Sequence, residues 1–308
     1  MSKRRKLDIT LKHKSLLNAR VLRWYRKNGR ELPWRNEHDP YRILVSEVML
    51  QQTQVSRVLT KYSRFLLRFP SMKRLAKART SHIIKAWEGM GYNNRALRLQ
   101  RLALAVSEKH NGGLPQSIEE LEALPGIGRY TAHALACFSF GQRVPVVDTN
   151  IRRVLTRVLP PRGRTSSPGE EEIWILAESL LPRQHVHDWN QALMDLGATI
   201  CTAAHPRCNL CPLADLCPSA HQVRRRKPAV TKSEPGRGGI PNRIYRGRTI
   251  QALRELKTRE VMTSSALARK IKPDFKSVDR RWFESLLRGL EKDGLVRINT
   301  RNKVSLPD

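Results

Sequence analysis

Leu124-Pro125-Gly126-Ile127-Gly128-Arg129-Tyr130-Thr131-Ala132, with Val146-Val147-Asp148-Thr149-Asn150 shortly after it, is the stretch whose reading decides the fold. Two glycines around one apolar residue make a tight turn between helices. The helix before the turn opens on a capping box, Ser117-Ile118-Glu119-Glu120, in which the cap and the residue three positions later can satisfy each other's backbone donors. With no side chain at Gly126 or Gly128, the N–H groups that start the next helix can come close to a phosphate, and the helix dipole favours that anion. Asp148 precedes Ile151, Val154 and Leu155, which recur with helical spacing. It is expected at a helix N-terminus, where N–H groups and the dipole keep a carboxylate ionised.

Outward from this stretch, apolar residues recur at three and four from Leu16 to about Ile200, as in Val55, Val58, Leu59, Tyr62, Phe65 and Leu66. Strict alternation is missing, so this part reads as almost wholly helical. It is broken where Pro and Gly cluster, at Leu32-Pro33-Trp34, Phe69-Pro70, Asn111–Pro115, Pro160–Gly163 and Leu181-Pro182. The 308 residues carry 58 Lys+Arg against 27 Asp+Glu, a formal charge of +31 that points to a polyanionic partner. The 40% apolar content is that of a globular protein, and the length allows one large domain and a small one. No run approaches a membrane span, and nothing hydrophobic follows Met1-Ser-Lys-Arg-Arg-Lys6 to form a signal peptide, so an intracellular, cytoplasmic protein with no membrane partner is expected.

Glu47 lies in Tyr41–Val55, read as one helix, with Ile43, Leu44, Leu50 and Gln51 three and four positions away. A carboxyl on so apolar a face is desolvated, which favours the protonated form and suits a general acid. Cys201, Cys208, Cys211 and Cys217 form a C-x6-C-x2-C-x5-C ligand set. Four thiolates suit tetrahedral zinc or an iron-sulfur cluster, and the single C-x2-C pair leans toward the cluster.

Residues from about His221 to Pro241 are rich in Arg, Lys, Pro and Gly and read as a linker. Beyond it, helices are expected near Thr249–Leu256, Ser264–Ile271 and Arg280–Lys292. Two strands, Leu295–Ile298 and Lys303–Leu306, flank the turn Asn299–Asn302. Three helices and a hairpin resemble a winged-helix module. Residues 221–308 are net +14 and residues 1–220 net +17, so both parts could touch DNA.

Taken together, Leu32–Arg35, Ser46–Val55, Gly89–Tyr92, Leu124–Ala132, Asp148–Arg152, Asn190–Gly197 and the four cysteines resemble the MutY-type adenine DNA glycosylases of the endonuclease III superfamily, across residues 20–220. The resemblance implies an all-α helix-hairpin-helix glycosylase fold with a small winged-helix-like α+β module. A 4Fe-4S cluster domain (1–28 and 145–220) would accompany a six-helix barrel (29–144), a basic linker (221–241) and the C-terminal domain (242–308). It implies a monofunctional, monomeric enzyme of base excision repair that takes adenine from duplex DNA where it faces 8-oxoguanine or guanine. Glu47 would protonate the extruded adenine at N7 and then activate water, and Asp148 would stabilise or trap the sugar cation. Tyr130 and Asn150 would hydrogen-bond in the active site. Gln52, Thr53, Met90 and Tyr92 match residues that wedge into the duplex or contact the orphaned guanine. Arg30, Leu32, Trp34 and Arg35 match the adenine pocket, and Gln191, Gly126 and Gly128 are further DNA or substrate contacts. Cys201, Cys208, Cys211 and Cys217 would hold the 4Fe-4S cluster. Longer members carry a C-terminal domain with a Phe-Ser-His loop that checks for 8-oxoguanine, which these last residues, without a histidine, do not match. The rival enzymatic reading is a thymine glycosylase for T:G mismatches; a rival of another class is a non-catalytic DNA-binding protein.

Overall fold

The computed structural model describes residues 11–160, 168–222, 234–257 and 260–308. The basic start Met1–Lys6, most of the Pro160–Gly163 break and most of the expected linker lie outside them. The helices run α1 (Leu11–Asn28), α2 (Pro40–Leu50), α3 (Val55–Arg68), α4 (Met72–Ala76), α5 (Thr80–Ala86) and α6 (Asn94–Lys109). Then come α7 (Ile118–Glu122), α8 (Arg129–Phe138), α9 (Thr149–Val158), α10 (Glu170–Leu180) and α11 (Val186–Asp195), which continues as a π-helical turn, Leu196–Ile200. Among the described residues no strand precedes Gly236, and no helix is long and apolar enough to cross a membrane.

Local sequence explains these elements. In α3, Val58, Tyr62 and Phe65 fall on one buried stripe; in α9, Ile151, Val154, Leu155 and Val158 do the same. Ser71 caps α4 by accepting from the Arg74 N–H, and Ser117 accepts from the Glu120 N–H at 3.2 Å, as the capping box requires. The helix read as Tyr41–Val55 stops at Leu50. Gln52 adopts φ +55°, and the guanidinium of Arg95 takes up the carbonyls of Val48, Met49 and Gln51 that the helix would otherwise use.

The chain forms two compact units. The first comprises Met1–Ile43, Gln116–Glu122 and Ile127–Ala229. Its core joins Leu17 and Val21 of α1, Val154 and Leu155 of α9, Ile173 and Leu176 of α10, and Trp189 and Leu193 of α11; Cys201, Cys211 and Cys217 pack at its margin. The second comprises Leu44–Pro115, Ala123–Gly126 and Val230–Asp308. Within it Phe65 packs edge-on to Trp87 at 5.6 Å, and α4 lies along α6.

The C-terminal residues begin with a hairpin, β1 (Gly236–Arg237) and β2 (Ile240–Pro241), inside the stretch read as linker. A Cβ at Gly236 would stand 2.2 Å from the Ile240 carbonyl oxygen, so only glycine fits there. Next follow α12 (Asn242–Arg254), β3 (Met262–Thr263), α13 (Ser264–Ile271), α14 (Arg280–Lys292), β4 (Arg297–Ile298) and β5 (Lys303–Ser305). The three strands form an antiparallel sheet in the order β3-β5-β4, with Val304 opposite both Met262 and Ile298. This is the winged-helix arrangement, with a strand before α13 that the sequence reading did not include. Its core of Tyr245, Leu253, Leu267, Phe283, Leu287 and Leu290 runs on to Ile84 of α5 and Leu97 of α6. The module therefore packs onto α5 and α6 of its own unit. Arg254 seals the contact by donating to the Ile84 carbonyl at 2.9 Å and to Asn93 Oδ1 at 2.8 Å, and Lys85 donates to the Leu256 carbonyl at 2.8 Å. Leu290, fully buried at 0% exposure, is expected to cost about 2–5 kcal/mol when replaced by Ala, read as a lower midpoint of chemical denaturation.

Candidate active site and cysteine pocket

Asp148 is the N-cap of α9, as the sequence predicts. One carboxylate oxygen accepts from the Ile151 N–H at 2.6 Å and the other from Asn150 Nδ2 at 2.7 Å. The expected effect on its charge is reversed, however. Burial raises its pKa above the ordinary aspartate value, outweighing the Ile151 and Asn150 hydrogen bonds and nearby Arg153. Asn150 is fixed in turn: Arg153 donates to its Oδ1 at 2.8 Å, to the Gly197 carbonyl at 2.6 Å and to the Cys201 carbonyl at 2.7 Å. A Cβ on Gly197 would stand 2.6 Å from Asn150 Cβ, so the π turn can lie this close to α9 only with glycine there. Upstream, the buried Asn190 accepts from the Val146 N–H at 3.0 Å and donates to the Val144 carbonyl at 3.1 Å, holding the strand-like approach to Asp148.

The hairpin between α7 and α8 has the predicted form. Gly126 takes φ +85°, which a side chain resists. Gly128 is different: its backbone is extended, it caps α8, and a Cβ there would meet nothing within 4 Å. Nothing inside the protein demands glycine at 128; it leaves open space above the α8 N-terminus. Tyr130 is half-buried in the first turn of α8.

Glu47 sits in the second unit on α2, buried at 7% exposure beside Leu44, Ser46 and Val48. The loops expected to meet DNA are in that unit too, and one side chain organises them. Besides the α2 carbonyls, Arg95 donates to Thr53 Oγ1 at 2.8 Å, the Met90 carbonyl at 2.9 Å and the Gly91 carbonyl at 3.3 Å, with its guanidinium over the rings of Trp87 and Tyr92. Gln52 and Tyr92 both have positive φ, +55° and +43°, and both side chains are exposed, Tyr92 at 59%. Met90 departs from expectation: at 1% exposure its side chain is packed inside the unit, where the apolar interior outbids the duplex side.

Arg30 and Arg35, expected in a base pocket, converge on Asp195. Arg35 grips both its carboxylate oxygens at 2.6 Å, and Arg30 adds a backbone bond at 2.9 Å and a side-chain bond at 2.7 Å. Burial disfavours the Asp195 charge, but the two arginines prevail and hold its carboxyl below the usual carboxylate range. Trp34 is buried and Leu32 partly so, while Gln191 is buried on α11 at 6% exposure. The organising contacts of Arg95, Arg153, Asn190 and Asp195 were not read from the sequence, although Asn190 and Asp195 lie in the Asn190–Gly197 motif and Arg153, three residues after Asn150, shares its helix face.

Cys201, Cys208, Cys211 and Cys217 line a single pocket with Arg157 and Arg207. Arg157 donates to Cys201 Sγ at 3.3 Å and to the Thr202 carbonyl at 2.7 Å. Burial pushes the Cys211 thiol up to about 11, and the neighbouring thiols add to the shift, which marks a set of soft donors wanting positive charge among them. Among the described residues no three Cys, His, Asp or Glu side chains converge closely enough to hold a single metal ion.

The helical hairpin and the capped aspartate lie within residues 45–179, which match the HhH-GPD superfamily of base excision DNA repair proteins. An adenine DNA glycosylase of Mycobacterium tuberculosis is 42% identical over 246 residues, covering 77% of this chain and 78% of that protein. The solved structure of a thermostable thymine-DNA glycosylase superposes with a TM-score of 0.65 at 31% identity, over 69% of this chain and 98% of its own. A trapped endonuclease III–DNA covalent intermediate shares the fold, with a TM-score of 0.61 at 23% identity over 70% and 98%. The chain belongs to the adenine DNA glycosylase family, and is a glycosylase of base excision repair. Gly128→Ala, which meets no clash but replaces a better N-cap with a poorer one, is expected to cost no more than about 1 kcal/mol of stability by chemical denaturation, while weakening duplex binding in a gel-shift titration.

Proposed function

We propose that the enzyme hydrolyses the N-glycosidic bond of adenine paired with 8-oxoguanine or guanine. The observation that carries this is the Asp148 carboxylate, fixed at both oxygens on the α9 N-terminus in a chain so similar to an adenine DNA glycosylase. Glu47, buried among apolar neighbours, protonates N7 of the extruded adenine. The C1′–N9 bond then breaks with its electron pair passing to the base. Asp148 faces the resulting oxocarbenium ion, its charge made more potent by the low local dielectric that raises its pKa. Glu47, now a carboxylate, takes the proton of the water that adds at C1′. Tyr130 and Asn150 orient the carboxylate and sugar, and the lack of a lysine at 130 favours simple hydrolysis over strand nicking. Gln52, Thr53 and Tyr92 fill the space the base leaves, on loops that Arg95 stiffens. Arg30 and Arg35 act through Asp195, setting the walls around Leu32 and Trp34. Gly126 and Gly128 let a phosphate reach the α8 N-terminus.

The four cysteines would hold a 4Fe-4S cluster. The four cysteines line a common pocket, and their single C-x2-C pair suits four thiolates on a cluster better than the two tight pairs usual for zinc. When bound, the cluster supplies folding energy to the loop after α11. The likeness to a thymine-DNA glycosylase favours a second reading, removal of thymine from T:G.

Duplexes carrying A:8-oxoguanine, A:G, T:G or no mismatch, treated with enzyme and then alkali, are expected to break at adenine; breakage only at T:G overturns the assignment in favour of the second reading. Asp148→Asn should slow single-turnover excision on the order of 10²–10³-fold and keep mismatch binding. Because the folded-state pKa of Asp148 is raised, its ionisation costs stability as pH climbs through that pKa. The Asn variant should therefore melt no lower than wild type at neutral pH, with any gain vanishing as pH falls into the aspartate range. Purified protein is expected to be brown and to yield iron and acid-labile sulfide; zinc alone overturns the cluster.

A further inference from the structure

We propose that the winged-helix module is a second duplex-binding site, which grips the phosphate backbone through the outer face of α14 and the β4–β5 turn. In α14 the residues Phe283, Leu286, Leu287 and Leu290 face the core, which leaves Arg281, Ser285, Arg288 and Lys292 as an exposed stripe on the opposite side. That stripe is about 16 Å long at 1.5 Å per residue, a helix of the size the ~12 Å-wide major groove admits. Arg297 and Arg301 extend it onto the hairpin, both exposed.

The module is strongly basic, and half of its acids are paired away from this face. Residues 242–308 hold 17 Lys+Arg and 8 Asp+Glu. Four of the acids are engaged elsewhere: Glu255 with Lys270, Asp274 with Lys272, Asp279 with Arg237 and Lys272, and Asp293 with Arg246. Glu291 lies on α14 and accepts from the Ile298 N–H. Glu284 reaches Arg288 only at 3.8 Å. Among the described residues Arg281, Lys292, Arg297 and Arg301 have no ion-pair partner; Lys257, Arg269, Lys276, Arg280 and Lys303 of the module also have none, but the first four lie in sequence along one exposed helix stripe and the hairpin that follows it. Such bare guanidinium groups suit phosphate oxygens.

The same face is rigid. The Ile298 N–H donates to Glu291 Oε1 at 2.9 Å, tying the hairpin to α14. Asn299 Oδ1 accepts from the N–H groups of Arg301 and Lys303, both at 3.0 Å, which fixes the turn that presents Arg301. Little ordering entropy is then lost on binding. The module also belongs to the unit that carries the Tyr92 loop: Gln251 donates to Glu88 and Arg254 to Asn93, on either side of that loop. A duplex held here is held by the same body that carries Tyr92. That link rests on the proposed role of Tyr92; the duplex site itself does not.

The test is binding of the full-length chain to an undamaged 30-base-pair duplex across a salt series. Loss of three phosphate contacts makes the slope of log K against log[salt] shallower by about 2–3, which is the result expected for Arg281→Gln/Arg288→Gln/Arg301→Gln with an unchanged melting temperature. The wing pair Arg297→Gln/Arg301→Gln, exposed side chains on β4 and the β4–β5 turn that make no ion pair among the described residues, should flatten it by about 1–2 and decides the matter if the triple variant melts early. Unchanged slopes overturn the proposal. Excision from the A:8-oxoguanine duplex at saturating enzyme is expected to be unaffected. If wild type itself fails to excise, the base-removal reading falls and the slopes still judge the duplex site.

Discussion

The Arg153 guanidinium donates to Asn150, to the carbonyl of Gly197 and to the carbonyl of Cys201, and α9, the π turn and the first of the four cysteines are held together through it. Asn150 orients Asp148, Gly197 lies in the π turn that leaves α11, and Cys201 is the first of the four cysteines. A planar group with several donors can satisfy three acceptors from different segments at once, which a lysine could not do with the same geometry. The arrangement tolerates no bulk at position 197, because α9 and the π turn approach to contact distance there. Asp148 is thereby placed in a site where burial opposes its charge, and the hydrogen bonds that fix it only partly compensate. Burial therefore wins over the cap and the amide, and the Asp148 pKa lies above the ordinary aspartate value.

The second unit repeats the device with Arg95. Its guanidinium finishes α2 by taking three carbonyls, and also holds the Thr53 and Met90–Gly91 segments. Both strained residues, Gln52 and Tyr92, flank what Arg95 grips, and backbone strain of this kind persists only where surrounding bonds over-determine it. Asp195 plays the mirrored part in the first unit, one buried carboxylate organising Arg30 and Arg35. In each case a buried charge is affordable because several partners share it.

The winged-helix module changes the meaning of the chain's basic character. Its core is continuous with α5 and α6, so it is part of the second unit and not an appendage on a tether. Packing sorts part of the positive charge of residues 242–308: Arg246 and Arg254, which face the protein, are matched by an acid and by carbonyl and amide oxygens, while Arg281, Arg297 and Arg301 have no ion pair among the described residues. Composition announces an excess; only packing decides which face presents it.

Much of this was legible in the sequence because the signals are local. Helical periodicity, the Ser117 capping box, the turn at Gly126, the Asp148 cap and the helices and hairpin of the C-terminal module each depend on residues a few positions apart, and each appears in the structure. The early end of α2, the inward Met90, the bonds of Arg30 and Arg35 to Asp195 and the raised pKa of Asp148 were not legible. Arg95 lies 46 residues from the Met49 carbonyl it caps, and Asp195 is 160 residues from Arg35. Short-range pattern determined which elements form and which residues could carry chemistry. Long-range packing alone decided which buried groups share a charge and what each is free to do, since desolvation and hydrogen bonding are set by neighbours that sequence separation does not reveal.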